Sequence, residues 1–429
     1  MSILEQPIDL PCGIAIPNRL AKSAMTEGLA DPHHRATPEL NHLYKRWGQG
    51  GIGLNITGNV QVDITHLERP GNVVIDGNGG HAELRAYAEA GRANSTELWM
   101  QVNHPGRQCP ASVNPHPFAP SAVQLGNNDA NYGEPIPMTG EQVVDIRDRF
   151  VHVAKVAQET GFTGVQIHAA HGYLLSNFLS PVTNQRTDQW GGSLENRARL
   201  LIDIVRSVRE ETGKNFPISV KMNSTDFQHG GFTLEDAQQV VAWLSDASLD
   251  LLEISGGTYE QPAMMGGVGN AATYEDPLKE STAKREAYFV EYAKAIRPAA
   301  TMPFMVTGGF RTREAMEHAV GDGSVDVVGI ARPLCGDPES PGKLLRGEID
   351  ALPDYENIID VTEADVPDLK PHQRLALANA GRQGWFCLSI IRLGQGLEAD
   401  MDMSCRDAAG AYVASEAATN EKRLAVLER

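Results

Sequence analysis

The chain has 429 residues, of which 41% are apolar and 6% aromatic, and carries a formal net charge of −18. That balance argues against nucleic acid or an anionic membrane as the main partner, since both call for a basic surface. No apolar run is long enough to span a bilayer, and the N-terminus MSILEQPIDLPCG lacks the basic and apolar segments of a secretory signal. The cysteines, Cys12, Cys109, Cys335, Cys387 and Cys405, are far apart and never at CxxC spacing. Neither a zinc knuckle nor a cysteine-held iron–sulfur cluster is indicated, and a reduced, cytoplasmic protein is the simplest reading.

In chain order, PCGIAIPN near the N-terminus reads as a short hairpin. Short apolar or β-branched runs predict strands at 19–25, 51–60, 97–103, 164–168, 216–223, 250–255, 303–307 and 325–330. Helical patterns lie between them, near 38–48, 80–94, 140–160, 194–212, 234–247, 284–296 and 313–320. Strand–helix alternation implies parallel strands with crossover helices. Eight such units predict an α/β fold, a closed (β/α)₈ TIM barrel over residues 1–349, with the hairpin across its bottom. Thr139 and Gln142 form a capping box for the third helix. Ser193 is placed to cap the fourth, Leu194, Ala198, Leu201, Val205 and Val208 form its apolar face, and Gly213 ends it. The remainder, 350–429, starts polar and ends in helical patterns at 371–396 and 405–428. It is expected to form a helical extension on the barrel or on a neighbouring subunit, which leaves room for a homo-oligomer.

Three stretches, 104–139, 171–192 and 256–283, are too long for simple connectors and all come after predicted strands. They belong over the C-terminal mouth, where barrels of this kind carry their chemistry. The fourth strand ends in His168 and His171, and Tyr173 comes next, before a long polar loop. The two histidines could ligate a metal together with His104 or His229, or donate hydrogen bonds to a substrate oxygen. Tyr173 could serve as a general acid or simply pack under the loop. The remaining strand ends offer Thr26, Gly58, Gln101, Lys221 and Ser255, with Glu253 inside a strand and no obvious companion. Amides, hydroxyls and one ammonium suit a polar heterocycle better than a divalent cation. Lys221 could act as a nucleophile, as a fixed positive charge, or pair with Glu253. Small residues after the last two strands, Gly308, Gly309 and Ala331, together with Arg332, match the phosphate cradle common at this end of the fold.

HAAHGYL followed by LSNFLSPVTNQRTDQWGGSLENRARL resembles the signature of the Old Yellow Enzyme family of FMN-dependent ene-reductases and NADH:flavin oxidoreductases. NRLAKSAMTEG, QVNHPGRQ, SVKMN, VTGGFRT and VGIARPL support the resemblance, which covers roughly residues 5–345. It implies that Ala24, Met25 and Thr26 line a flavin, that Gly58 and Gln101 contact its pyrimidine side, and that Lys221 stands near N1 and O2. Gly308, Gly309, Ala331 and Arg332 would hold the FMN phosphate. His168, next to the flavin, and His171 would hydrogen-bond a substrate oxygen, Asn103 would shape the pocket, and Tyr173 would protonate the α-carbon. The implied reaction passes hydride from NADH or NADPH through flavin N5 to the β-carbon of an activated alkene such as an enone, enal, nitroalkene or maleimide. NAD(P)H oxidase or nitro-reductase activity at the same site is the alternative within the family. A metal-dependent hydrolase using His104, His168 and His171 is the alternative outside it. Several positions depart from the family pattern: Ala24 for proline, Thr26 for the cysteine of some relatives, Ala331 for glycine, and Asn103 where a bulkier residue is common. The larger iron–sulfur relatives need a cysteine cluster after the eighth strand; here only Cys335 stands there, so no cluster and no metal is expected.

Overall fold

The computed structural model describes residues 2–126, 131–257, 289–362 and 366–427. Eight strands form a closed barrel: β1 Leu20–Lys22, β2 Leu54–Gln61, β3 Glu97–Asn103, β4 Gly164–Ala169, β5 Ile218–Asn223, β6 Leu251–Ser255, β7 Phe304–Thr307 and β8 Val327–Ile330. Every neighbouring pair is parallel, and β8 pairs with β1 to close the ring. The crossover helices are α1 Pro38–Gln49, α2 His81–Gly91, α3 Gly140–Thr160, α4 Leu194–Thr212, α5 Leu234–Asp246, α6 Val290–Ile296 and α7 Arg313–Gly321. Each predicted strand and each crossover helix is present, although residues 284–288 of the sixth predicted helix lie outside the described residues, as does 258–283 of the third long loop.

Local chemistry fixes the helix ends. The Thr139 amide donates to Gln142 Oε1 at 2.8 Å and the Gln142 amide donates to Thr139 Oγ at 3.2 Å, closing the capping box of α3. Ser193 Oγ accepts from the Asn196 amide at 3.3 Å at the start of α4. On α4, Ala198, Leu201, Val205 and Val208 are buried against the barrel, as their spacing predicts. Predicted helix 80–94 stops at Gly91 instead, because Asn94 and Ser95 both take positive φ and no helix continues through that geometry.

The barrel bottom is closed by the predicted hairpin, in which Ile8–Asp9 pairs antiparallel with Ala15–Ile16. Ile8, Leu10 and Ile16 pack there against Ala21, Leu54, Ile56, Trp99, Leu251, Met305 and Val327. Beyond the barrel, α8 Pro371–Gly394 and α9 Cys405–Leu427 pack side by side. Gly381 and Gly384 make the close approach work: a Cβ on either would come within 2.5 Å of Cys405 or 2.4 Å of Ala408. The pair rests on its own barrel. Arg46 of α1 pairs with Glu398 at 2.7 Å, and Arg69, in the loop after β2, pairs with Glu416 of α9 at 2.5 Å. Arg69 also donates to the Thr26 carbonyl at 3.3 Å, so the extension braces the barrel mouth. No helix among the described residues is long and apolar enough to cross a membrane.

Candidate active site

Strand β4 carries Val165 and Ile167 into the core and ends by presenting His168. The chain then makes a sharp turn in which His171 has φ 63° and Gly172 φ 80°. The left-handed region is costly for a residue with a Cβ, and here it is held from outside. The His171 amide donates to Asn223 Oδ1 at 3.1 Å, Gln108 Nε2 donates to the His171 carbonyl at 3.1 Å, and Asn177 Nδ2 donates to the Gly172 carbonyl at 2.9 Å. The turn therefore aims His171 back over the end of β4.

Residues 174–192, expected as one long polar loop, begin with a fully buried helix, Leu174–Leu179. Tyr173 is its N-cap, and the Leu174 amide donates to the His104 carbonyl at 3.0 Å. LLSNFL is apolar enough to be buried, and Asn177 and Ser176 spend their polar groups on the turn before it. Tyr173 is thus fixed at both ends of its backbone, and its ring meets His168 edge-on with 4.8 Å between centroids.

The two histidines face each other. His168 Nε2 lies 3.2 Å from His171 Nδ1, His168 Nδ1 lies 3.0 Å from Asn59 Oδ1, and His171 Nε2 lies 2.7 Å from Ser255 Oγ. Both rings are buried. Burial, followed by the positive charge of Lys221, pushes both imidazoles well below their ordinary pKa of 6.5, and His168 adds to the shift on His171. Each is neutral at pH 7.

Register brings His168, Lys221 and Glu253 side by side on β4, β5 and β6. Lys221 Nζ is 2.9 Å from Glu253 Oε1. Glu253 does have companions, contrary to the sequence reading: besides Lys221, it accepts from Gln166 Nε2 at 2.9 Å and Thr307 Oγ at 2.7 Å. Gln101 Nε2 donates on to Gln166 at 2.8 Å, and Ser23 Oγ meets Thr307 Oγ at 2.6 Å. A carboxylate buried among donors and an ammonium is the arrangement such a charge requires. Lys221 uses one of its three donors on Glu253, which leaves capacity for an oxygen at the mouth.

Gly58 lies in the irregular stretch of β2. Its amide donates to Glu27 Oε1 at 2.9 Å and lies 3.0 Å from the Tyr44 hydroxyl. A Cβ there would come within 2.2 Å of Glu27 and 2.4 Å of the Met25 carbonyl, so glycine is required by this chain's own packing. Tyr44 also donates to Glu27, and Lys22 Nζ donates to the Ile56 carbonyl at 2.5 Å. Burial pulls the Lys22 ammonium down to about 7. Sequence reasoning passed over Lys22 and Glu27; two opposite charges flanking the end of a buried strand were the available signal.

The other expected residues lie around this centre. Ala24 and Met25 continue from β1, with Met25 Sδ 3.6 Å from Cys335 Sγ. Thr26 Oγ accepts from Asn72 Nδ2 at 3.4 Å. Asn103 is fully buried, donates to Gln61 at 3.3 Å, and leaves its Oδ1 without a hydrogen-bond partner. Gly308 and Gly309 after β7 have φ of 117° and 82°, backbone conformations that favour glycine. Ala331 and Arg332 come directly after β8. Arg332 Nε and Arg311 Nη2 both engage Glu356 of the extension, at 2.8 and 2.5 Å. Two guanidiniums around one carboxylate keep an excess of positive charge beside the glycine amides.

His104 is not brought to the histidine pair as a ligand set. It groups with Asp63 and His66, whose ligand atoms all lie within 4.8 Å of its own. The hydrogen bonds oppose a metal there. The Phe118 amide donates to His66 Nε2 at 3.0 Å, so His66 carries its proton on Nδ1, where Asp63 accepts it at 2.8 Å. The Gly106 amide likewise occupies the His104 Nδ1 lone pair at 3.0 Å, leaving a proton on Nε2.

The donor set at the mouth fits FMN: amides, hydroxyls and an ammonium for a flavin ring, and two guanidiniums next to a glycine turn for a dianionic phosphate. Residues 4–350 match the model of the NADH:flavin oxidoreductase / NADH oxidase family. The chain belongs to that family. It is 37% identical over 357 residues to the NADH-dependent flavin oxidoreductase iliE of Hypocrea jecorina, covering 78% of this chain and 87% of that one. A 2-naphthoyl-CoA reductase structure superposes with a TM-score of 0.72 at 27% identity, covering 82% of this chain and 53% of the other, so this chain spans about half of that longer protein. The Old Yellow Enzyme homologue of Zymomonas mobilis shares the fold, with a TM-score of 0.68 at 23% identity over 86% of this chain and 99% of that one. Membership makes this chain an oxidoreductase of the Old Yellow Enzyme family, with FMN as cofactor and a nicotinamide as electron donor. The hydrolase alternative falls with it.

Proposed function

We propose that this protein is an NAD(P)H-dependent ene-reductase, acting on alkenes conjugated to a carbonyl or nitro group. The observation that carries the reading is the neutral, buried His168–His171 pair with the Tyr173 ring against it. A relative named for reducing a conjugated aromatic thioester, the 2-naphthoyl-CoA reductase, points to the same chemical class.

Lys221, Gln101, Gly58 and the Ala24–Met25–Thr26 segment would hold the flavin ring beside His168. Gly308, Gly309, Ala331 and Arg332 would hold its phosphate, with Arg332 shifting from Glu356 or sharing it. Bound FMN supplies the two-electron chemistry, taking hydride from a nicotinamide and returning it to the acceptor. The chain's own residues then polarise and protonate. A substrate oxygen at the histidine pair accepts a hydrogen bond in a site largely closed to water, where such a bond stabilises developing enolate charge. Tyr173, held rigidly by the turn and the helix it caps, would deliver the proton to the α-carbon. Asn103 would limit the size of what enters.

The test is the purified protein under anaerobic conditions. It should carry a flavin absorbance spectrum, be bleached by NADH or NADPH, and be reoxidised by an enone. A colourless protein that binds no FMN, or a reduced one that no activated alkene reoxidises, contradicts the reading.

A further inference from the structure

Thr26 is held by two residues of the loop after β2, one on its backbone and one on its side chain. Arg69 Nη1 donates to its carbonyl at 3.3 Å, and Asn72 Nδ2 donates to its hydroxyl oxygen at 3.4 Å. The Asn72 amide has one workable orientation. Its Oδ1 accepts from the Arg69 amide at 2.8 Å and from Gln61 Nε2 at 3.3 Å. Its Nδ2 also faces the Asn59 carbonyl at 3.4 Å and Glu68 Oε2 at 3.3 Å, an oxygen it shares with Asn59 Nδ2 at 3.4 Å. Turned round, the amide would set donor against donor and acceptor against acceptor. A hydroxyl that accepts at its oxygen still has its own proton to give. Among the described residues nothing takes the Thr26 proton.

Arg69 is placed in turn by the C-terminal extension. Its Nε and Nη2 form a fork on Glu416 of α9, at 3.2 and 2.5 Å. Its guanidinium carbon lies 5.3 Å from the centre of the Tyr412 ring, one helical turn earlier. The same guanidinium presses on the segment that carries Thr26, since a Cβ on Gly28 would come within 2.6 Å of it. Arg69 is buried by these contacts. A fork on a carboxylate fixes the plane of a guanidinium as well as its position, and Nη1 is left for the Thr26 carbonyl. We propose that Glu416 and Tyr412 are positioning residues for the flavin: through Arg69 they hold Thr26 so that its hydroxyl donates to a flavin carbonyl oxygen. Such an oxygen gains negative charge when the ring is reduced, so a fixed donor there favours the reduced cofactor. The inference rests on the reading that the Ala24–Met25–Thr26 segment lines the flavin ring.

The test is the two-electron equilibrium of the FMN-loaded protein with a redox dye, read by absorbance at one fixed pH. Thr26→Ala removes the donor and should lower the equilibrium constant for reduction by about tenfold, which is about 30 mV for a two-electron couple. Glu416→Ala should lower it by about three- to tenfold, because Arg69 no longer holds Thr26 in place. The sign is diagnostic, since removal of a carboxylate near the flavin would by charge alone raise the constant. Glu416→Gln keeps an acceptor for Arg69 and should stay at or above the wild-type value. In a Thr26→Ala background, Glu416→Ala should lower the constant no further. Tyr412→Leu, a milder change, should shift it in the same direction as Glu416→Ala. An unchanged or raised constant in folded Glu416→Ala overturns the proposal; should that variant not fold, the same result in Tyr412→Leu does. A Glu416→Ala effect that persists in full without the Thr26 hydroxyl also overturns it. If Thr26→Ala itself leaves the equilibrium at the wild-type value, the flavin does not lie against Thr26, and the reading beneath the inference fails.

Discussion

At the bottom of the barrel, Ile8, Leu10, Ile16, Leu54, Ile56, Trp99, Leu251 and Met305 close the lumen with side chains that need little beyond packing. At the top, His168, His171, Lys221, Glu253, Gln166, Gln101 and Thr307 are nearly as buried, yet almost every polar atom is committed to a named partner. The same eight strands supply both ends. Apolar burial stabilises each side chain by about 1.5–3 kcal/mol wherever the shape is filled. A buried ion pair is weak evidence of stability, and its loss on one side only is costly. The top therefore reads as a surface kept for chemistry, standing on a bottom that holds the barrel together.

Substitutions can separate the two ends. Trp99→Ala, at the bottom, should destabilise the fold by about 3–5 kcal/mol through the cavity it leaves, while the folded fraction keeps its flavin spectrum and half-reaction rates. Denaturant unfolding with a flavin titration checks both. Glu253→Gln, at the top, should destabilise by about 1–3 kcal/mol, because Lys221, Gln166 and Thr307 lose a charged acceptor, and it should weaken FMN binding as well. If the two variants had the same effect on FMN affinity, the division of labour would be wrong.

Acid should act through the buried histidines. Burial depresses His34, His104, His168 and His171 below 6.5 in the folded chain. Below that pH the unfolded chain takes up protons that the folded chain refuses, so stability is highest above 6.5 and is lost as pH falls. The unfolding midpoint in urea should drop between pH 7 and 5, and less so once His168 and His171 are replaced. The smallest effect is expected far from either end: Ser193→Ala at the start of α4 should cost about 1 kcal/mol in the same measurement.

Periodicity carried the fold because each strand of a parallel barrel is a short apolar run bounded by a helix with its own caps, as with Thr139 and Ser193. The mouth was legible where a motif sets a residue at a strand end, as with His168, His171 and Lys221. It was not legible where a contact joins residues far apart in the chain. Glu253 looked alone because its partners Lys221, Gln166 and Thr307 come from three other strands. Asn59 and Glu68 went unremarked because an amide and a carboxylate nine positions apart have no pattern until the loop after β2 folds back. The helix at 174–179 reads as loop in the sequence because its polar residues, Ser176 and Asn177, bind the preceding turn rather than water.

The central claim is that Tyr173 protonates carbon while the histidine pair holds the substrate oxygen, and anaerobic stopped-flow on Tyr173→Phe tests it most directly. Flavin reduction by NADH or NADPH should keep its wild-type rate, and reoxidation by an enone should slow by about 10²–10⁴-fold, the usual contribution of a positioned general acid. Equal losses in the two half-reactions, or an unchanged reoxidation rate, would contradict the account.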